Sequence, residues 1–536
     1  MRNKTLAFVF CLPVMLFGMV VFGQQTDLRQ TDPLPRSVPE KEGVSSGGIL
    51  GFINAIERTR NEFHSVMVLR HGKVIAEGWW NPYQPDLKQS LYSVSKSFTS
   101  TAVGFAVNEG LLSVDDKVLS FFPHDLPATI TPYLAGLTVK NLLCMLEGQD
   151  PDPTITIASA DSNWIRGFLA TPILNKPGEH FLYNSMGVYI LAAIVERRTG
   201  QHLVDYLRPR LFEPLGIRGE DWELSPQGIS TGGWGLRLKT EDMAKMGQLY
   251  LQKGNWKGKQ LLPAQWVADA TASYNEEGPV WAQHAIKDSS DWRQGYGYLF
   301  WRCRHHAFRA DGAYGQLIVV MPDEDAVVAI TCETHDMQDE VNLIWNWLLP
   351  AMHKGSLPED QLAAAALQRK LSALALPLPA GTTISPSEAL ISGKTFTMKG
   401  NDEAIASMGF RFDAGVGQNA GTAQTGTSQP GTAHLDIERD GAMIHLTLGA
   451  GRWVNGETML PSPNLFGPPI AALAPFRVAG SYDWKDEHTL EIVLRYTESP
   501  HTETILCHFD GNKLSASVDR SMNFGSKRSV LEGESK

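Results

Sequence analysis

The stretch Ser90-Leu91-Tyr92-Ser93-Val94-Ser95-Lys96-Ser97-Phe98-Thr99-Ser100 reads as the opening of a helix. Val94, Phe98, Ala102 and Phe105 recur at spacings of three and four and make one apolar stripe. Gly110, just after Asn108-Glu109, is a natural stop, because a left-handed residue closes a last turn. Ser93 and Lys96 are three residues apart and so share one face of the first turn. Burial lowers a lysine pKa, and a neutral amine can take the proton of a serine that attacks a carbonyl. The Ser93 N–H and the positive end of the helix favour the charge that then develops on the acyl oxygen. This S-x-x-K occurs once in the chain. Taken alone, it also fits a serine-rich helix cap followed by a surface lysine.

Further along, Pro177-Gly178-Glu179 makes a turn before Tyr183-Asn184-Ser185, which precedes an apolar helix over 188–197 that ends at Thr199-Gly200. A tyrosine in that position can relay a proton between nucleophile, amine and leaving group. It can equally be a ring packed at a loop–helix junction.

Working outward, residues 65–70, the pair His71-Gly72 and residues 73–77 read as a β-hairpin, preceded by a short helix over 49–60. Helices are predicted over 138–143 and 242–251, strands over 296–301, 315–320 and 326–330, and a closing helix over 341–348. Two early strands, a central helical block and late strands predict an α/β (α+β) domain whose antiparallel sheet unites both ends of the segment. Residues 350–379 form a connector with an Ala/Leu-rich helix over 362–374. Beyond about residue 390 the helix signals vanish. Leu490, Ile492, Leu494 and Tyr496 alternate with polar neighbours, and Asp440-Gly441 and Asp510-Gly511-Asn512 are hairpin turns. A smaller all-β domain, a barrel or a sandwich, is expected there, with the Gly/Thr/Gln/Ala run 415–431 as a loop inside it. The expected division is 1–23 signal peptide, 24–43 lead-in, 44–352 first domain, 353–389 connector and 390–536 all-β domain.

The 536 residues, 43% apolar and 20% charged, suit a globular chain with more than one core. A formal net charge of −11 speaks against nucleic acid or an anionic membrane surface as partner. Arg2 and Lys4 precede an apolar run over 6–22, with Val21-Phe22-Gly23 before Gln24. That pattern predicts a cleaved secretory signal and a periplasmic or secreted protein with no integral membrane segment after its removal. A retained anchor is the other reading of the same run. Cys144, Cys303, Cys332 and Cys507 are far apart and form no C-x-x-C pair, so buried thiols are expected; Cys303 and Cys332 are the pair that could bridge. The histidines lack H-E-x-x-H spacing, and no metal or cofactor is implied.

The order of these segments resembles the serine β-lactamase and penicillin-binding-protein superfamily, in the class C-related branch with esterases and D-aminopeptidases. Ser93-Val94-Ser95-Lys96 matches its S-x-x-K, and residues 177–185 look like its P-G-x-x-F-x-Y-[NS] segment. Leu142-Leu143-Cys144-Met145, Gly233-Trp234-Gly235-Leu236 and Gly247-Gln248-Leu249-Tyr250-Leu251 are similar to its pattern too, so the resemblance spans about 44–352. It implies Ser93 as nucleophile, Lys96 as general base, Tyr183 as proton shuttle and Ser185 at the substrate. Two departures stand out. Ser185 takes a place where many β-lactamases have Asn. The late-strand Lys-Thr-Gly or His-x-Gly is replaced by Phe308-Arg309-Ala310-Asp311-Gly312-Ala313-Tyr314-Gly315-Gln316, which lacks the cation unless Arg309, His305 or His306 supplies it. Asp311, Gly312 and Ala313 are expected at the substrate, with a second oxyanion donor from 310–313.

The expected function is an exported serine hydrolase that forms a Ser93 acyl-enzyme from a small-molecule or peptide ester or amide. Neutral esters or amides are expected to react ahead of penicillins, and residues beyond about 390 to carry no catalytic group. D,D-peptidase, D-aminopeptidase or β-lactamase activity on cell-wall-type substrates stays open, as does an inactive binding protein on the same fold. The sequence leaves the oligomeric state open.

Overall fold

His71 and Gly72 both adopt positive φ, 50° and 72°. They reverse the chain between β1 (Glu62–Arg70) and β2 (Lys73–Trp79) as a two-residue hairpin does. The computed structural model describes residues 32–160, 162–275, 278–413, 431–465, 473–522 and 528–536. The signal-peptide segment and, apart from Gly431, the low-complexity run lie outside the described residues.

On its other side β1 pairs antiparallel with a strand from the far end of the domain. The late strands are β3 (Trp301–Arg302), β4 (Phe308–Gly312), β5 (Gln316–Met321) and β6 (Ala326–Glu333). Their order with the hairpin is β2-β1-β6-β5-β4-β3, with Val66 opposite Ile330 and Val319 opposite Val328. The sheet therefore unites both ends of the segment, as the sequence predicts. Because helices cover both faces, β1 and β6 are buried almost throughout rather than alternating with solvent.

One face packs Val66, Val68, Val319 and Ile330 against Ile49, Phe52 and Ile53 of α1 (Ser46–Ile56). The connector is no free tether, since Leu367 of its helix and Leu374 just beyond join that same core. The other face packs Met67, Leu69, Ile318 and Val320 under the helical block. Its long helices are α2 (Ser95–Asn108), α3 (Ser185–Thr199) and α4 (Thr240–Leu251). The predicted stripe Val94, Phe98, Ala102 and Phe105 lies wholly in this core, and Gly110 closes the turn after α2 with φ 69°. Burying side chains of that size stabilises by about 1.5–3 kcal/mol for each Val or Phe.

One predicted strand is corrected. Of residues 296–301 only Trp301 enters a strand. Leu299 is left-handed (φ 64°), its N–H donates to the Leu143 carbonyl, and its own carbonyl accepts from Ser97 Oγ at 2.8 Å. The run is apolar because it crosses the buried interior, where Tyr296, Tyr298 and Phe300 pack among other rings.

The C-terminal strands are β7 (Lys394–Met398), β8 (Ile405–Phe412), β9 (Thr432–Arg439), β10 (Ala442–Ala450) and β11 (Val454–Thr458). They continue with β12 (Phe476–Trp484), β13 (Thr489–Tyr496), β14 (Thr502–Asp510), β15 (Lys513–Arg520) and β16 (Ser529–Glu534). Antiparallel pairing runs β10-β9-β8-β7-β16-β15-β14-β13-β12, and a short parallel contact of β10 with β12 closes a nine-strand barrel. The closing contact spans Gly449–Ser481 and Ala450–Tyr482, and β11 pairs with residues 476–480 of β12 beside it. Leu490, Ile492 and Leu494 point inward with Ile505, Cys507 and Phe509, as their alternation predicts.

The barrel docks beside the S-x-x-K turn. Gln89 Nε2 donates to the Thr497 carbonyl at 2.6 Å, Tyr83 Oη to that of Ser499 at 3.1 Å, and Arg495 Nη1 to Glu62 Oε1 at 2.5 Å.

Candidate active site

Ser93 sits in a single 3-10 turn, Tyr92–Val94, that runs straight into α2. The turn places Lys96 one helical turn on, with its side chain driven inward and only 1% exposed. Its Nζ lies 2.8 Å from Ser93 Oγ, 2.9 Å from Ser185 Oγ and 2.8 Å from the Gly233 carbonyl oxygen. Burial lowers the Lys96 pKa to about 7, against the pull of Asp152 and Asp311, which favour the charged form. At neutral pH much of the amine is therefore uncharged. A neutral amine has two N–H groups and one lone pair. A carbonyl can only accept, so one N–H belongs to Gly233; with the other on Ser185, the lone pair faces the Ser93 hydroxyl.

Tyr183 completes the group. Burial raises the pKa of its hydroxyl well above the usual phenol value and keeps it protonated, while the neighbouring Ser93 draws it down. The ring stacks on Trp301 (centroids 5.7 Å apart, planes 19° apart) and meets Tyr296 edge-on. Lys96 Nζ stands 4.8 Å from the ring centre. Asn184 fixes the neighbouring helix: its Oδ1 accepts the Gly187 N–H at 3.1 Å and its Nδ2 donates to Gln149 at 2.8 Å. Ser185 is then the first residue of α3, aimed at Lys96.

Ser93, Tyr183, Ser185, Asp311 and Ala313 line one cleft of about 410 Å³. Gly312 does not line it. It serves as a backbone spacer, because a Cβ there would stand 2.3 Å from the Leu91 carbonyl oxygen. None of the three candidate substitutes for the missing cation reaches the cleft. Arg309 is completely buried beneath it; Nε donates to Asp311 at 2.6 Å, Nη1 donates to the Asp291 carbonyl at 2.9 Å, and its guanidinium lies 4.4 Å from the centre of a Trp292 ring. His306 is exposed and bonded to Asp323, and His305 lies against Trp345. Burial raises the Asp311 pKa, while Arg309 draws it back.

Several walls of the cleft carried no sequence signal. Trp281, Trp292 and Trp301 form an aromatic side, and Asp152, His335 and Asp336 stand around the mouth. Leu465, from the barrel, also lines it, so the all-β domain is part of the cleft although it was expected to stand apart. Apart from Trp301 in the two-residue β3 and Trp281 in a 3-10 turn, these residues come from loops, where no periodicity announces a side chain's direction. Among the described residues there is no group of three or more His, Cys, Asp or Glu placed to hold a metal, and no helix long and apolar enough to cross a membrane. All four described cysteines are buried thiols.

The family described as Beta-lactamase matches this chain over residues 53–350, more than half of its 536 residues. The chain belongs to the beta-lactamase family. Among curated relatives, the 6-aminohexanoate-dimer hydrolase of Paenarthrobacter ureafaciens is 26% identical over 226 residues, 39% of this chain and 57% of the relative. The D-aminopeptidase of Brucella anthropi is 32% identical over 165 residues, 28% of this chain and 31% of the relative. The match thus takes in little more than half of one relative and under a third of the other. Of solved structures, an octameric penicillin-binding protein homologue from Pyrococcus abyssi is 15% identical, with a TM-score of 0.45, over 90% of this chain and 99% of that one. In this beta-lactamase-family chain Ser93, Tyr183 and Ser185 line the cleft, and the buried Lys96 amine reaches Ser93 and Ser185 from beneath.

Proposed function

We propose that this beta-lactamase-family hydrolase forms an acyl-enzyme on Ser93 from ester or amide substrates that carry no carboxylate beside the scissile bond. The observation that carries the reading is the buried Lys96 amine 2.8 Å from Ser93 Oγ, anchored by the Gly233 carbonyl. Lys96 takes the Ser93 proton as Oγ attacks the carbonyl carbon; the Tyr183 hydroxyl gives its proton to the leaving group as the scissile bond breaks and is reprotonated from Lys96, which returns the amine to its neutral form. The Ser93 N–H and a backbone N–H at Ala313, at the end of β4, hold the oxyanion. Water, activated by the same amine, then releases the acid and restores Ser93.

Substrate class follows from charge. No lysine or arginine lines the cleft among the described residues, and Asp152, Asp311 and Asp336 do. An anionic substrate end is disfavoured, and neutral or amine-bearing acyl donors fit. The relatives' names, a dimer hydrolase and an aminopeptidase, keep amides beside esters in this class. Arg2, Lys4 and the apolar run after them support action outside the cytoplasm. Incubation with a fluorophosphonate followed by intact mass tests the chemistry. One adduct is expected on the wild type and none on Ser93→Ala; an adduct that persists in Ser93→Ala removes the assignment.

A further inference from the structure

Tyr92, the residue before the nucleophile, has a left-handed backbone (φ 46°) although it carries a bulky ring. Such a conformation persists where the surroundings hold it in place. The ring is buried away from the cleft, at the junction between the two domains. Its hydroxyl lies 2.5 Å from Nε2 of His501, a completely buried residue of the barrel. His501 Nδ1 in turn lies 2.7 Å from Oε1 of Glu333, the last residue of β6, and Ser521 of the barrel donates to that same oxygen at 2.7 Å. A carboxylate accepts, so Nδ1 carries the hydrogen and Nε2 is left to accept from the Tyr92 hydroxyl. The His501 ring meets Tyr314 edge-on at 4.8 Å, and Tyr92 packs on the same Tyr314 at 5.7 Å. Tyr314 belongs to the turn between β4 and β5, whose Ala313 lines the cleft.

One string of contacts therefore joins the nucleophile turn, the edge of the cleft and the barrel. We propose that Tyr92, His501 and Glu333 form a positioning chain in which the barrel's His501 holds the Tyr92 ring, keeps the backbone left-handed there, and so aims Ser93 Oγ at Lys96 and Tyr183. The inference rests on the Ser93 acyl-enzyme reading above. It gives the barrel a task at the site that its docking contacts alone do not require. Gln89 and Tyr83 also bond the barrel, but through groups that do not adjoin Ser93. Tyr92 does, and reacting groups displaced by about 1 Å can lose about a hundredfold in rate.

The test uses the full chain, a p-nitrophenyl ester and a fluorophosphonate. Tyr92→Phe keeps the ring and loses only the hydroxyl. His501→Asn keeps a donor toward Glu333 but loses the acceptor facing Tyr92, whereas His501→Gln keeps an acceptor toward Tyr92. Tyr83→Phe removes a docking bond elsewhere. Tyr92→Phe and His501→Asn are expected to lower kcat and the labelling rate about tenfold or more with KM within about twofold. His501→Gln should retain clearly more than His501→Asn, and Tyr83→Phe should match the wild type. The inference is overturned if folded Tyr92→Phe and His501→Asn both stay within about twofold of wild type, or if Tyr83→Phe falls as far as they do. Should the His501 variants fail to fold, Tyr92→Phe decides alone. A wild type that takes no label removes the serine-hydrolase reading, and this inference with it; a labelled wild type with unaffected variants removes only the inference.

Discussion

Gly312 and Leu91 touch backbone to backbone: a methyl group on Gly312 would lie 2.3 Å from the Leu91 carbonyl oxygen and 3.2 Å from the Val94 nitrogen. The end of β4 and the turn that carries Ser93 thus stand at the closest separation two backbones allow, a place that only glycine fits. Gly312→Ala should push the strand off the turn, destabilise the protein by about 1–3 kcal/mol and lower kcat by more than its effect on KM. Gly136→Ala is the control, because nothing lies within 4 Å of an added Cβ there. Denaturant midpoints and ester kinetics on the two variants check this. Equal behaviour of both would mean that the close approach has no bearing on the site.

The Lys96 amine sets the pH dependence. Its pKa is lowered to about 7 by burial, and the neutral form is the one that accepts the serine proton. Activity should therefore rise with pH up to about 7 and level off above it, with kcat/KM falling about tenfold for each unit below. The opposite sign, a rate that falls as pH rises through 7, would require the protonated amine to be the active form. A pH series of fluorophosphonate labelling reads this without any turnover. Lys96→Ala should abolish the rising limb along with most of the rate.

How far the sequence could be read follows from where each group sits. Ser93, Lys96 and Tyr183 are tied to helix starts, and a helix start is marked by local chemistry: an apolar stripe, a cap, a Pro-Gly turn. The hairpin at His71-Gly72 and the alternation in β13 are likewise local signals. The stretch 296–301 misled because a run of large apolar residues is the same in a strand and in an irregular segment crossing a core; only the Leu299 contacts with Leu143 and Ser97 separate the two. Arg309 was open to either reading, since nothing in neighbouring residues says whether a strand side chain points to a cleft or away from it. Its partners Asp291 and Trp292 come from a different loop. His501 lay beyond reach for the same reason, its meaning residing in Tyr92, far back in the chain.

Arg309 carries a stability prediction of its own. It is wholly buried, and its Nε bonds Asp311, itself only 8% exposed. Removing one partner of a buried pair leaves the other charge uncompensated, which costs about 3–5 kcal/mol. Arg309→Met should destabilise by that order, whereas Arg309→Met with Asp311→Asn should recover much of the loss. Urea unfolding of the two single variants and the double gives the coupling energy. If the losses simply add, the two residues do not act as a pair.

Charge at the cleft also decides what enters it. Cephalosporins and penicillins present a carboxylate beside the scissile amide, and a family member with a lysine on its late strand can hold that group by charge. Here the corresponding strand offers Asp311 to the cleft, Asp152 and Asp336 stand nearby, and Arg309 is withdrawn beneath the floor. A charge-assisted hydrogen bond contributes about 1.5–3 kcal/mol, so its absence alone lowers affinity for an anionic end by about ten- to a hundredfold. A p-nitrophenyl ester loses nothing by this, and its leaving group departs more readily than an amine. The ester should accordingly be turned over with far higher kcat/KM than a chromogenic cephalosporin on the same preparation. Asp311→Asn removes one negative charge from the cleft but also unpairs the buried Arg309, so it should shift the ratio toward the cephalosporin while lowering stability by about 3–5 kcal/mol. A wild type that prefers the cephalosporin would mean that a cation reaches the carboxylate after all, and a ratio unmoved by Asp311→Asn would mean that this carboxylate does not face the substrate.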